Sequence, residues 1–155
     1  MKASLIIIGN EILSGRTQDK NLSYLANWLN EIGIQLTEVR VIRDEEDVIV
    51  ETVNHLRKTY DYVFTTGGIG PTHDDITSES IAKAFSVDLE INQGALSILK
   101  EYYKDGELTV ARMKMTKMPV GSELIENPVS RAPGFKMDNV FVLAGIPGIM
   151  QGMLE

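Results

Sequence analysis

A chain of 155 residues with 43% hydrophobic and 24% charged residues is long enough for one domain with a real core and too short for two ordinary ones, and its balance is that of a globular protein. The absence of cysteine excludes a disulfide framework, a thiolate zinc site and a cysteine nucleophile. With 15 basic against 22 acidic residues the net charge is −7, which makes nucleic acid a poor partner, although local dipoles or a bound cation still allow a small anion to be held.

Residues 3–8 form a nearly continuous apolar run that ends at Gly9, the habit of a strand buried on both faces in a parallel sheet. The run is too short to span a membrane, and Gly9-Asn10-Glu11 follows it in place of a small-residue cleavage site. Neither a signal peptide nor a membrane partner is expected, and the expected compartment is the cytoplasm. Residues 22–32 place Leu22, Leu25, Ala26, Leu29 and Ile32 at helical spacing, and Gly33 stops that helix. Residues 34–42 alternate as a second strand, and Ile49, Val53, Leu56 and Tyr60 mark one face of a second helix. Tyr62 to Thr66 is a third strand closed by Gly67-Gly68, and a helix starts near Thr77. This strand–helix alternation predicts a doubly wound α/β fold with a mainly parallel sheet and right-handed crossovers.

The second half is less regular. Residues 93–104 and 108–118 read as helices, the second carrying Met113, Met115 and Met118 as core filling. A short strand near 122–126, a turn-rich stretch from Asn127-Pro128 to Pro133-Gly134 and a last strand at 140–144 follow. The helix that opens after Gly145-Ile146-Pro147-Gly148 runs off the end at Glu155, so the chain is expected to be one domain over 1–155, truncated at its C-terminus.

Ligands of open α/β sheets bind beyond the carboxyl ends of the strands. Three loops there carry unusual residues: Gly9-Asn10-Glu11, the segment Thr65 to Asp75, and Gly145-Ile146-Pro147-Gly148. In the middle loop Gly67, Gly68 and Gly70 let amides turn toward an anion, and Thr65, Thr66 and Thr72 add hydroxyls. Asp74 and Asp75 would repel a phosphate unless they hold Mg²⁺ or another divalent cation, so the pattern reads as phosphate plus metal. No lysine follows the glycines, so this is not a Walker loop. The plainer alternative is a strand-to-helix turn capped by Asp75 or Thr77. Asp44 reads either as the start of an acidic first helical turn or as a second metal or base carboxylate. Glu11 reads as a further metal or base carboxylate, a ribose-hydroxyl ligand or a turn cap, and His73 as a general base, a phosphate donor or a structural or solvated side chain. His55 is a surface residue. Arg131, in a rigid Pro/Gly loop, is a candidate phosphate clamp or an ordinary surface arginine.

The segments Gly9 to Gly15, Asp19 with Asn21, and Thr65 to Thr77 together resemble the molybdenum-cofactor-biosynthesis (MoaB/Mog-like) domain. Asn127-Pro128-Val129, Ala132-Pro133-Gly134-Phe135 and Gly145-Ile146-Pro147 with Met150 are similar to the N-terminal domain of the CinA family. The resemblance covers essentially the whole chain. It implies a three-layer α/β/α fold with its ligand site at the glycine-rich loop. Mog-like members bind molybdopterin, and some adenylylate it with Mg-ATP, using aspartates that map onto Asp44 and Asp75. CinA-like members are associated with metal-dependent hydrolysis of ADP-ribose to AMP and ribose 5-phosphate. Ile69 stands where Mog-like members usually have Thr and CinA-like members an apolar residue. Relatives form dimers or trimers, so a homo-oligomer is implied. The second CinA domain, associated with pyridine-nucleotide deamidation, has no counterpart, and that activity is not expected.

Three functions follow as expectations: a metal-dependent ADP-ribose pyrophosphatase, a molybdopterin-binding or adenylylating domain, and a non-catalytic ligand-binding domain. In the first, Asp44 and Asp75, with Asp74 in support, are catalytic and hold the metal. The nucleotide or pterin phosphate meets Gly9, Asn10, Glu11, Thr66, Gly67, Gly68, Gly70, Thr72, Arg131, Gly145 and Pro147.

Overall fold

The computed structural model describes residues 1–103, 109–129 and 131–154. Lys104, Leu108, Ser130 and Glu155, each part of a segment read from the sequence, lie outside the described residues. In chain order the elements are β1 (Lys2–Ile8), α1 (Asn10–Leu13), α2 (Asn21–Glu31), β2 (Gln35–Ile42), α3 (Glu46–Thr59), β3 (Tyr62–Thr66), α4 (Thr77–Ala84), β4 (Leu89–Ile91), α5 (Gln93–Tyr102), α6 (Val110–Lys114), β5 (Lys117–Pro119), β6 (Glu123–Ile125), β7 (Gly134–Met137), β8 (Val140–Leu143) and α7 (Pro147–Leu154).

Six strands form one sheet in the order β2-β1-β3-β8-β7-β6. The first four are mutually parallel, with Ile6 opposite Arg40 on one side and Thr65 on the other. β7 and β6 add antiparallel pairs at one edge. Because side chains alternate along a strand, β1 feeds both faces. Ile6 and Ile8 meet Ile49, Val53 and Leu56 of α3 and Ile81 of α4 in one cluster. Ala3, Leu5 and Ile7 meet Leu25 and Leu29 of α2 and Met150 and Met153 of α7 in the other. The result is the expected three-layer α/β/α arrangement with a mainly parallel sheet. Leu5, Ile6, Leu25, Leu29, Ile49 and Leu56 are fully buried, each contributing about 1.5–3 kcal/mol of apolar burial.

The helix starts have local causes. Both Asp19 carboxylate oxygens accept from the first amides of α2, Asn21 N at 3.3 Å and Leu22 N at 3.0 Å. The Asn92 side chain accepts from Ala95 N at 3.0 Å to open α5.

Three sequence expectations need correction. The helix expected over 108–118 ends at Lys114: Thr116 folds back onto Met113 O, and Lys117–Pro119 are drawn out as a strand against β4. Pro119 favours that outcome, since it disfavours helix at the residue before it. Met118 is buried in the core as expected, whereas Met113 is half-buried and Met115 lines a cleft. Finally, the stretch read as turns resumes as a strand at Gly134, where a Cβ would stand 2.3 Å from Val142 O. That close approach is what places β7 against β8. Among the described residues no helix is long and apolar enough to cross a membrane.

Candidate functional site

The parallel strands β1, β2, β3 and β8 end on one rim, so Gly9, Asp44, Gly67 and Gly145 are gathered there from four separate segments. An open cleft of about 540 Å³ lies on this rim. Its walls include Glu11, Thr17, the loop Gly67 to Pro71, Asp75, Asn127, Ala132 and the segment Ala144 to Pro147. Tyr103 and Met115 complete the lining. Such a volume suits a nucleotide-sized molecule.

The glycine-rich loop is held by its own backbone. Gly67 takes φ +98° and Gly68 φ +75°, a region that other residues enter only at a cost. A Cβ on Gly67 would lie 2.2 Å from Ile8 O, and one on Gly68 would lie 1.9 Å from Thr77 Oγ1. The strand end and the start of α4 therefore pack against bare glycine. Thr77 fastens the loop from behind: its hydroxyl donates to Gly67 O at 2.9 Å and its amide to Gly68 O at 3.0 Å. Thr77 is thus a tie to the loop, not a helix cap. Neither does Asp75 cap α4: its Oδ2 accepts from the Thr72 amide at 2.9 Å and the Thr72 hydroxyl at 2.8 Å.

The amide of Gly67 is committed to Leu143 O at 3.2 Å, so it is not free to meet an anion as the glycine pattern implied. The amides of Gly68, Ile69 and Gly70 have no acceptor among the described residues. These are the groups that an anion in the cleft would meet.

Asp44 does not cap α3, whose first turn is preceded by Glu45. Its Oδ2 accepts from the Asn10 amide at 3.0 Å, while its own amide donates to Asn10 Oδ1 at 3.2 Å. The Asp44 carboxyl is held above its ordinary value, first by burial and then by the charges of Glu11, Asp75 and Asp74; the Asn10 hydrogen bond opposes the rise. Four carboxylates thus share one electrostatic neighbourhood, and among the described residues no cation pairs with Asp44. Among the described residues no three His, Asp or Glu side chains are grouped as a metal site. A cation here would take two carboxylates at most and complete its shell with water and ligand oxygens, the habit of Mg²⁺.

The expected residues separate into groups. Glu11, Gly67, Gly68, Gly70, Asp75, Gly145 and Pro147 line the cleft. Thr66 lines a smaller recess beside it. Gly9, Asn10, Asp44, Thr72 and Asp74 lie on the same rim but are not on the cleft wall. Arg131 is exposed, with φ +70° and its amide bonded to Asn127 O at 3.0 Å, and it does not line the cleft although Ala132 beside it does. His73 is exposed, 3.4 Å from Asp74, and His55 is exposed on α3.

Two further residues meet the rim loops and are not among the expected site residues. Lys114, at the end of α6, reaches across to donate to Thr72 O and brings a positive charge to the loop. Asn21, at the start of α2, is 3% exposed and donates through Nδ2 to Gly145 O at 2.9 Å. Asn21 belongs to the motif that carries the family resemblance, but its partner, the Gly145 carbonyl 124 positions away, is visible only in the fold.

The family pattern described as "Probable molybdopterin binding domain" matches residues 4–155. A protein from Thermoplasma acidophilum is 39% identical over 157 residues, covering 99% of this chain and 61% of that protein. One from Archaeoglobus fulgidus is 38% identical over 155 residues, covering 100% of this chain and 66% of that one. The chain therefore spans less than two thirds of these curated relatives' length. The crystal structure of a CinA protein of unknown function from Thermoplasma acidophilum matches with a TM-score of 0.92 at 39% identity, covering 99% of this chain and 93% of that one. The tungsten cofactor synthesizing protein MoaB from Pyrococcus furiosus matches with a TM-score of 0.62 at 22% identity, covering 99% of this chain and 87% of that one, a likeness of fold. With a family pattern over nearly its full length and a CinA structure it covers almost entirely, the chain belongs to the molybdopterin-binding domain family.

Proposed function

We propose that the rim cleft binds a phosphate-bearing heterocycle and that the domain is a metal-dependent hydrolase of AMP-linked diphosphates, with ADP-ribose as its substrate. The observation that carries this reading is the convergence of Asp44 with the Gly68–Asp75 loop on one rim, where Asp44 is raised by neighbouring negative charge. Asp44 and Asp75 would hold Mg²⁺ or a similar divalent cation, with Asp74 adding negative potential. The cation would supply charge against the diphosphate and an acidified water for attack on phosphorus. The open amides of Gly68, Ile69 and Gly70 face the charge that grows on the phosphoryl oxygens, and Lys114 adds to them. Water adds to one phosphorus, the bridging P–O bond breaks, and the products are AMP and ribose 5-phosphate, with the water's protons released or kept by the phosphates.

Ile69 favours hydrolysis over adenylyl transfer in this reading. It packs half-buried against the core and offers no hydroxyl at its place in the loop. The test is incubation with ADP-ribose and Mg²⁺, Mn²⁺ or Co²⁺, with AMP followed by chromatography. AMP released with a divalent cation and not with a chelator supports the reading. No release above background with any of the three metals ends it.

A further inference from the structure

Asp75 lines the rim cleft, whereas Thr72, three residues before it, does not. Thr72 is expected from the sequence as a ligand contact, yet both of its donors are spent on Asp75. The Thr72 amide donates to Asp75 Oδ2 at 2.9 Å and the Thr72 hydroxyl to the same oxygen at 2.8 Å. The Asp75 amide donates back to Thr72 O at 3.1 Å, and Lys114 Nζ donates to that carbonyl as well. The carboxylate also rests on bare backbone, since a Cβ on Gly70 would stand 2.8 Å from Oδ2 and 3.3 Å from the carboxyl carbon. The loop itself therefore ties the Asp75 carboxylate to one place, although Thr72 is exposed.

A carboxylate oxygen offers about two lone-pair sites. Thr72 fills both on Asp75 Oδ2, while Oδ1 accepts no hydrogen bond among the described residues. Asp44 has the same asymmetry: its Oδ2 accepts from the Asn10 amide at 3.0 Å, and its Oδ1 has no partner among the described residues. Asp75 can thus offer a cation Oδ1 alone. Mg²⁺ and Mn²⁺ suit such a donor, because they take roughly six oxygens in an octahedron and keep several waters. Ca²⁺ takes roughly six to eight and draws on carboxylates through both oxygens at once.

We propose that Thr72 is a positioning residue: by saturating Asp75 Oδ2 it restricts Asp75 to contact through one oxygen and makes the rim favour Mg²⁺ or Mn²⁺ over Ca²⁺. The inference rests on the reading of Asp75 as a metal-holding carboxylate and adds to it which cations the site admits.

The test follows Mn²⁺ binding to the full chain by loss of the free-ion EPR signal, with Mg²⁺ and Ca²⁺ as competitors. It is run without and with α,β-methylene ADP, which resists hydrolysis of the diphosphate, and is corrected for Mn²⁺ held by the nucleotide alone. In the wild type Mg²⁺ is expected to displace Mn²⁺ at a concentration about tenfold or more below that needed of Ca²⁺. Thr72→Val keeps the side-chain shape and the amide donor but frees one site on Oδ2, so the preference falls toward one. Thr72→Ser keeps a hydroxyl and should keep the wild-type preference. A merely structural role for Thr72 would weaken all three ions alike and leave the ratio where it was. A wild type that takes Ca²⁺ as readily as Mg²⁺, a ratio unmoved in Thr72→Val, or a Thr72→Ser that behaves as Thr72→Val overturns the inference. AMP release from ADP-ribose with a divalent cation would still leave the proposed function standing. Mn²⁺ held neither by the chain alone nor by the chain with α,β-methylene ADP overturns both.

Discussion

Asn10 and Asp44 hold each other by two reciprocal hydrogen bonds, Asn10 N to Asp44 Oδ2 at 3.0 Å and Asp44 N to Asn10 Oδ1 at 3.2 Å, although 34 positions separate them. The pair ties the loop after β1 to the loop after β2 and fixes where the Asp44 carboxylate stands. Asp44→Ala removes the acceptor and is expected to lower unfolding free energy by about 1 kcal/mol. Asp44→Asn keeps an oxygen for the Asn10 amide and sheds a charge that its neighbours disfavour, so at neutral pH it should be at least as stable as the wild type. Metal-dependent AMP release should fall in both. Urea unfolding curves check the stability order, and a less stable Asp44→Asn would contradict it.

The raised Asp44 carboxyl makes a pH prediction whose sign is fixed. Because burial and then Glu11, Asp75 and Asp74 push it up, the folded protein keeps a proton that the unfolded chain has already lost. Its contribution to stability is fully present below the unfolded value, about pH 4, and is lost as pH rises through the higher folded value. The stability difference between Asp44→Asn and wild type should therefore widen in favour of the variant over that window and then level off. Mn²⁺ at neutral pH should raise the wild-type melting temperature and leave that of Asp44→Asn unmoved. Parallel pH profiles for the two proteins would show that the carboxyl is not under this strain.

Much of this arrangement was written in local patterns. The apolar run of β1, the alternation of β2 and the Tyr62–Thr66 strand before two glycines set the parallel half of the sheet and hence the rim. The meeting of Gly9, Gly67 and Gly145 follows from that, since parallel strands end together. What stayed hidden depends on partners distant in sequence. β7 has only four residues and starts with a glycine after a proline, so it reads as a turn until β8 pairs with it. β4 and β5, three residues each, are defined by each other. The Asn10–Asp44 pair needs the β1–β2 register, and Lys114 meets the loop only through the fold, 42 positions from Thr72 in the chain.

Gly68 and Thr77 offer a test of the loop. Gly68→Ala meets two penalties, a positive φ and the Thr77 hydroxyl 1.9 Å from the new Cβ. It should destabilise the domain by about 2–4 kcal/mol, combining backbone strain with overpacking. Thr77→Ala alone loses the bond to Gly67 O, at about 1 kcal/mol. In the double variant the 1.9 Å clash with the hydroxyl is gone, while a tight 3.0 Å approach to the Cβ at position 77 and the backbone strain remain, so the total should be smaller than the sum by about 1 kcal/mol. Strict additivity in thermal or urea unfolding would mean that the two residues do not meet as described. Gly67→Ala admits no such rescue, because the obstacle there is the Ile8 carbonyl oxygen, which is backbone.

Lys114 brings a cation to the rim where Asp44, Asp74 and Asp75 stand, and among the described residues its ammonium is anchored through the Thr72 carbonyl. Its ammonium sits at the loop whose amides at Gly68, Ile69 and Gly70 are open, so it can add an ionic contact to an anion held there, at a distance that salt can screen. Lys114→Gln keeps a donor for Thr72 O and removes the charge, which separates the electrostatic contribution from the loop tether. Its melting temperature should stay within a degree or two of wild type, because a half-buried polar side chain outside the core clusters costs about 0.5 kcal/mol or less. Its affinity for α,β-methylene ADP should drop by roughly threefold to tenfold at low ionic strength. The gap between variant and wild type should then close as salt is raised, since the wild type alone has that contact to lose. A deficit that persists unchanged at high salt would assign Lys114 a packing role on α6 and leave the backbone amides as the anion's partners.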